Sequence, residues 1–226
     1  ELNLNKIRGF GRKKPLLNVI FLAGALGISG VPLFNGYVSK TLIHESIVQY
    51  MFLINANAIP AREVLFSTKF MSAVEWIFLI SGGLTAAYMT KLYVCLFVEK
   101  NTDKAVQEKY DALRGTYMNR TSAFALAASA LLLPLMGLWP GTLMDGIADM
   151  GQSFLQAGTM EKISYFSIGN LRGALISLVF GALLYGFFVR FLLMRRQSYS
   201  AGKSYVNLWP SWLDLENLVY RPLLTK

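Results

Sequence analysis

The chain has 226 residues, 54% of them hydrophobic and 15% charged, with a net charge of +9. Such a composition, gathered into several long apolar runs, describes an integral membrane protein rather than a soluble core. The basic excess lies in loops between the runs, so membrane topology accounts for it and no nucleic-acid partner is expected.

The chain begins Glu1-Leu2-Asn3, without a methionine or a signal-peptide pattern, and is read as a fragment of a longer chain or a partial gene product. Four apolar segments can span a bilayer, which takes about 20 residues. They cover about residues 15–54, 72–98, 121–139 and 171–194, with residues 1–140 as one unit and 141–226 as an appended one. The first is twice the needed length and is interrupted at Gly30-Val31-Pro32. It is either a hairpin of two spans or one broken crossing helix.

Charge favours the broken helix. Five Lys or Arg lie in residues 1–14, five in 99–120 and five from 195 onward, against Arg62, Lys69 and Lys162 on the other side. By the positive-inside rule the start and the tail are then both cytoplasmic. The loop after the third span carries Asp145, Asp149 and Glu161 and faces outward. Leu143, Ile147, Met150, Phe154 and Leu155 recur there at helical spacing, as in a helix lying on the outer surface. Ser211-Trp212-Leu213-Asp214 reads as the cap of a short tail helix, with Trp209, Trp212 and Tyr220 as interfacial anchors.

Lys40 is the leading candidate for chemistry. A charge inside a bilayer costs roughly 2.5–3.5 kcal/mol on insertion scales, so an intramembrane lysine marks a functional site by default. Burial can bring its proton within reach of neutral pH, as a relay requires. The alternative is a lysine snorkelling at the outer end of the span. His44 shares a helix face with Lys40 at i, i+4, as an outward proton exit or as part of a polar interfacial turn. Glu75 and Lys91, near the two ends of the second span, are members of a polar axis or interfacial residues. Gly173, Ser177 and Gly181 form a packing face. One cysteine (Cys95) and one histidine (His44) leave no disulfide, Cys-rich metal site or bis-histidine haem, so no cofactor and no metal are expected on this chain.

The run from Asn5 to Pro15 (NKIRGFGRKKP), followed by GALGISGVPLFNGYVSK (Gly24–Lys40), resembles the antiporter-like subunits of respiratory complex I. Those subunits are shared with membrane-bound hydrogenases, formate hydrogenlyase and Mrp-type cation/proton antiporters. SGGLTAAYMTKLYVCLF (Ser81–Phe97) is similar to the following helix of the same family. The resemblance implies an all-α, multi-pass fold, the C-terminal fragment of an inverted-repeat transporter. It puts Lys40 on the discontinuous helix of the second repeat, on a central polar axis. It implies proton translocation through Lys40; Lys91, His44 and Glu75, read from the residues themselves, are the further relay candidates. The complex would be an NADH:quinone oxidoreductase or a hydrogenase in the cell (inner) membrane, with other membrane subunits as partners and redox sites elsewhere. An Mrp-type Na+/H+ antiporter subunit and a non-conducting anchor for neighbouring subunits are the alternatives.

Overall fold

A computed structural model describes residues 3–113, 115, 117–154, 163–196, 203–206, 208, 210, 212 and 214–224. Leu155, Glu161, Trp209, Ser211 and Leu213 therefore lie outside the described residues, as do Arg114, Lys162 and Lys226 from the charge pattern.

A short turn, α1 (Leu4–Ile7), leads to α2 (Pro15–Ser29) and α3 (Asn35–Asn55). Next come α4 (Thr68–Tyr93), α5 (Lys104–Ala112), α6 (Arg120–Leu138) and α7 (Pro140–Phe154). The last long helix is α8 (Ile168–Leu184), and α9 (Arg221–Leu224) lies in the tail. Two helices leave α geometry in their last turns, α4 as a π-helical stretch over Val94–Val98 and α8 over Tyr185–Leu193. With these extensions, α4, α6 and α8 are long and apolar enough to cross a membrane, and α2 is a shorter apolar helix.

The break after α2 has a chemical cause. Gly30 takes a left-handed φ of 77°. Its N–H bonds to the Gly27 carbonyl (3.0 Å) and the Val31 N–H to Leu26 (3.1 Å). This is the paired closure with which a glycine ends a helix. Pro32 has no N–H with which to resume the ladder. Leu33 is also left-handed at φ 74°, unusual for a side-chain-bearing residue. The backbone of Leu33 and Phe34 lies against Gly137 of α6, where a side chain would not fit.

The two halves continue past the break along one neighbour rather than folding back as a hairpin. Next to the start of α2, Gly9 and Gly11 donate to the carbonyls of Cys95 and Leu96 at the end of α4 (2.9 and 2.8 Å). At the other end, Thr68 at the start of α4 donates to Asn55 at the end of α3 (3.3 Å). So α2 and α3 together run antiparallel to the whole length of α4. The α4 partner on the other side is α8: a side chain at Gly83 or Gly181 would collide with the facing helix.

Two buried clusters mark the ends. One joins Cys95, Val189, Met194 and Tyr205 at the basic end, where residues 3–14 and 99–119 lie. The other joins Tyr37, Val38 and Tyr165 toward the far end. Two regions of the appended part extend the sequence reading. A surface helix does form over α7, exposing Leu143, Ile147, Met150 and Phe154. In the tail, strands β1 (Met194–Arg196) and β2 (Lys203–Tyr205) pair antiparallel, Met194 opposite Tyr205. Beyond Asp214, helical turns run over Glu216–Tyr220 and α9.

Candidate functional site: a lysine chamber at the helix break

Ending α2 at Ser29 leaves its last carbonyls without helical partners. Lys40, one and a half turns into α3, reaches back, and its Nζ donates to the Ser29 carbonyl at 3.1 Å. Gly30 serves twice, because a Cβ there would come within 2.7 Å of the Lys40 Cδ. The break therefore supplies both an acceptor for the ammonium and the room for its stem.

Around this contact lies a cavity of about 30 Å3, bordered by Leu79 and Gly82 of α4 and by Asn170, Gly173 and Ser177 of α8. It is large enough for one or two water molecules at roughly 10–15 Å3 apiece. His44 lines its far end, with Nε2 lying 3.1 Å from Glu75 Oε1. Both side chains are largely buried, 15% and 24% exposed, so the pair is weakly screened. Gly173 makes space for the imidazole, since a Cβ there would touch it at 3.4 Å. Asn170 donates to Glu45 (2.7 Å) and to the Ser164 carbonyl (3.0 Å). Ser177 donates to the Leu79 carbonyl (3.0 Å). The Tyr37 hydroxyl, also at the cavity, donates to the Tyr165 carbonyl, and the Tyr165 hydroxyl donates to Asp145 of α7. Burial first, and then Asp145, push the Tyr165 hydroxyl above its ordinary pKa, so it holds its proton and stays a donor.

Lys40, His44 and Glu75 are thus brought together, and Lys91 is not among them. Nine residues along α4 separate Gly82 from Lys91, roughly 13 Å of helix. Between them Ala86 and Ala87 are buried, and Gly181 of α8 packs so closely that an added Cβ would lie 2.7 Å from the Ala86 Cβ. The Lys91 ammonium sits instead 5.3 Å over the ring of Tyr205.

Lys91 borders a second polar group, at the basic end. There Glu99, its side chain 10% exposed, pairs with Arg8 (2.8 Å) and Arg190 and accepts from the Tyr205 hydroxyl (3.1 Å). Nearby Lys14 is fully buried, donating to the carbonyls of Phe10 and Tyr110 beside the Phe10 ring. Burial holds its pKa below the ordinary lysine value, partly countered by Asp111.

Sequence reading misses Ser29, Thr41, Asn170 and Ser177 at the cavity and Glu99 and Tyr205 at the basic end. Asn170 leaves a trace: it is a polar residue inside the first turn of a long apolar helix, three residues after its Ser167 cap. Glu99 leaves one too, as a carboxylate ending an apolar run amid basic residues. A main-chain acceptor such as the Ser29 carbonyl has no side-chain signature.

No family model matches the chain, and no solved structure matches it. A curated relative does match, the Na(+)/H(+) antiporter subunit A1 of Staphylococcus haemolyticus (strain JCSC1435), 24% identical over 176 residues. The match takes in 77% of this chain and 20% of the relative, so the chain spans about one-fifth of the relative's length. Long apolar helices and this likeness together support a multi-pass membrane protein. The chain is distantly homologous to an Na(+)/H(+) antiporter subunit, in keeping with its resemblance to antiporter-like membrane subunits.

Proposed function

We propose that the chain is part of a proton-translocating, antiporter-like membrane subunit in which Lys40 is the protonatable group. The observation that supports this most is the Lys40 ammonium held by the Ser29 carbonyl that the helix break frees, beside a cavity shared with the His44–Glu75 pair. A neutral lysine would let go of that carbonyl, so gain and loss of a proton change a defined contact. His44 and Glu75 take the proton toward the far end. The start and tail face the cytoplasm, and redox groups, in a complex I-like or hydrogenase assembly, sit on partner subunits.

The test is Lys40→Ala in the intact complex, with proton movement followed in vesicles. Transport lost with assembly intact is expected; near-normal pumping removes Lys40 from the mechanism. The name of the relative favours a second reading, exchange of Na+ for protons. Na+-dependent proton movement without any electron donor would select it. A structural anchor without ion flux is the third reading, and deleting residues 196–226 separates it: lost assembly with normal transport per assembled complex favours an anchoring role for the tail.

A further inference from the structure

The tail strand β2 has no part in the Lys40 chamber, yet it holds one of the best-anchored tyrosines in the molecule. Tyr205 is 7% exposed and packs with Cys95 and Val189, from the last turns of α4 and α8, and with Met194 of β1. Lys91 covers its ring at 5.3 Å and Arg8 at 5.8 Å. Its hydroxyl donates to Glu99. Its backbone is gripped on both polar groups by one side chain: Asn5 Nδ2 donates to the Tyr205 carbonyl, and the Tyr205 N–H donates to Asn5 Oδ1, both at 2.9 Å. Arg8 donates to the carbonyl of Lys203 (2.6 Å). Residues from both ends of the chain thus meet over the end of α4.

We propose that Lys203–Tyr205 is a plug that seals the basic end of the bundle, with Tyr205 as the stopper that keeps Lys91 and Cys95 from water. A hydrophobic ring alone would close the gap without orientation. The hydroxyl on Glu99 and the two cations against the ring fix which way it points. The charged and titratable groups around the socket are Lys91 and Cys95 of α4 with its π-helical end, Glu99 just after it, Tyr185 and Arg190 in the π-helical end of α8, and Arg8 of the leading segment. The proposal does not rest on the ion-handling reading, since the seal is read without any transport.

Cys95 is the native reporter. It is fully buried, its thiol donates to the Leu4 carbonyl at 3.5 Å, and it touches the stopper. The experiment uses the full-length protein in native membrane vesicles, with any other cysteines replaced by serine. A membrane-impermeant maleimide is added to each face in turn. Protection is expected in the parent. In Tyr205→Ala, which loses the ring as well as the hydroxyl, labelling from the face bearing residues 3–14 is expected to rise roughly a hundredfold or more, beyond the roughly tenfold to hundredfold for losing a charge-assisted hydrogen bond alone. Tyr205→Phe, which keeps the ring, is expected to give a smaller rise. If Tyr205→Ala does not accumulate, Asn5→Ala loosens the same strand without opening the core and is expected to expose Cys95 in the same direction. Rapid labelling of the parent, or continued protection in an assembled Tyr205→Ala or Asn5→Ala protein, overturns the plug.

Discussion

The chain holds its two interior lysines in opposite ways. Lys40 is met by one backbone carbonyl beside a small cavity, with its nearest ion pair, His44–Glu75, a turn away. Lys91 sits against the Tyr205 ring in a crowded group with Arg8, Arg190 and Glu99. The first arrangement suits a proton that moves, because a neutral amine can drop one weak contact at little cost. The second suits a fixed structure, because removing any member strands the others. The closely packed glycine–alanine seam of α4 and α8 separates them. The contrast teaches that a lysine inside a membrane bundle can be a moving part or a rivet, and that its neighbours decide which.

Removing the Glu99 carboxylate should break the crowded site hardest. Glu99→Ala leaves Arg8 and Arg190 facing each other and Tyr205 without its acceptor. Breaking a buried pair costs about 3–5 kcal/mol, and half-exposed Arg190 points to the lower end of that range. A large drop in thermal unfolding temperature in detergent is expected, with strand β2 detached; an unchanged unfolding temperature would show the network to be ornamental.

Gly30→Ala should strike the open site with a smaller effect on stability. A Cβ at that positive φ costs about 1–2 kcal/mol and also displaces the Lys40 stem. Transport is expected to fall as far as in Lys40→Ala, while the protein still assembles. Full transport in Gly30→Ala would separate the lysine from the break that holds it.

The smallest effect sharpens the comparison outside the bundle. Asp111 of α5 is held below the ordinary carboxylate pKa, first by a hydrogen bond from Lys13. A depressed carboxylate stabilises the folded form above its unfolded value of 3.8 and loses that contribution as pH falls through the folded value. The group is partly exposed, so only a slight loosening of α5 is expected there, and Lys13→Ala should weaken that pH dependence while Gln107 and Arg12 keep part of it. Backbone amide exchange across residues 104–112 measures it.

Much of this contrast is legible in the sequence. Lys40 and the Gly30-Val31-Pro32 break stand out because bilayers punish charge and unpaired backbone, and the charge asymmetry alone favours one broken crossing over a hairpin. His44 and Glu75 both stand out as well, but nothing in their spacing says that α3 and α4 bring them to 3.1 Å. The basic-end group is not legible. Its members come from residues 5–8, 91–99, 190 and 205, and their meeting depends on how three loops and a two-stranded hairpin fold back on one another. Strands of three residues carry too short a pattern to announce themselves, and the tail reads as helix for want of any other local signal.

The π-helical ends of α4 and α8 carry a last consequence. Each accommodates more chain per turn than an α-helix does, and each begins where its helix approaches the Glu99 group. The widened turns therefore set the angular register of Cys95 and of Arg190. Deleting one residue from Tyr185–Leu193 would rotate the rest of that helix by roughly a quarter turn. The pairing of the two chain ends thus depends on residue count in these turns as much as on residue identity, and homologues that keep the arginine but lose a residue there should also lack a tyrosine to meet it.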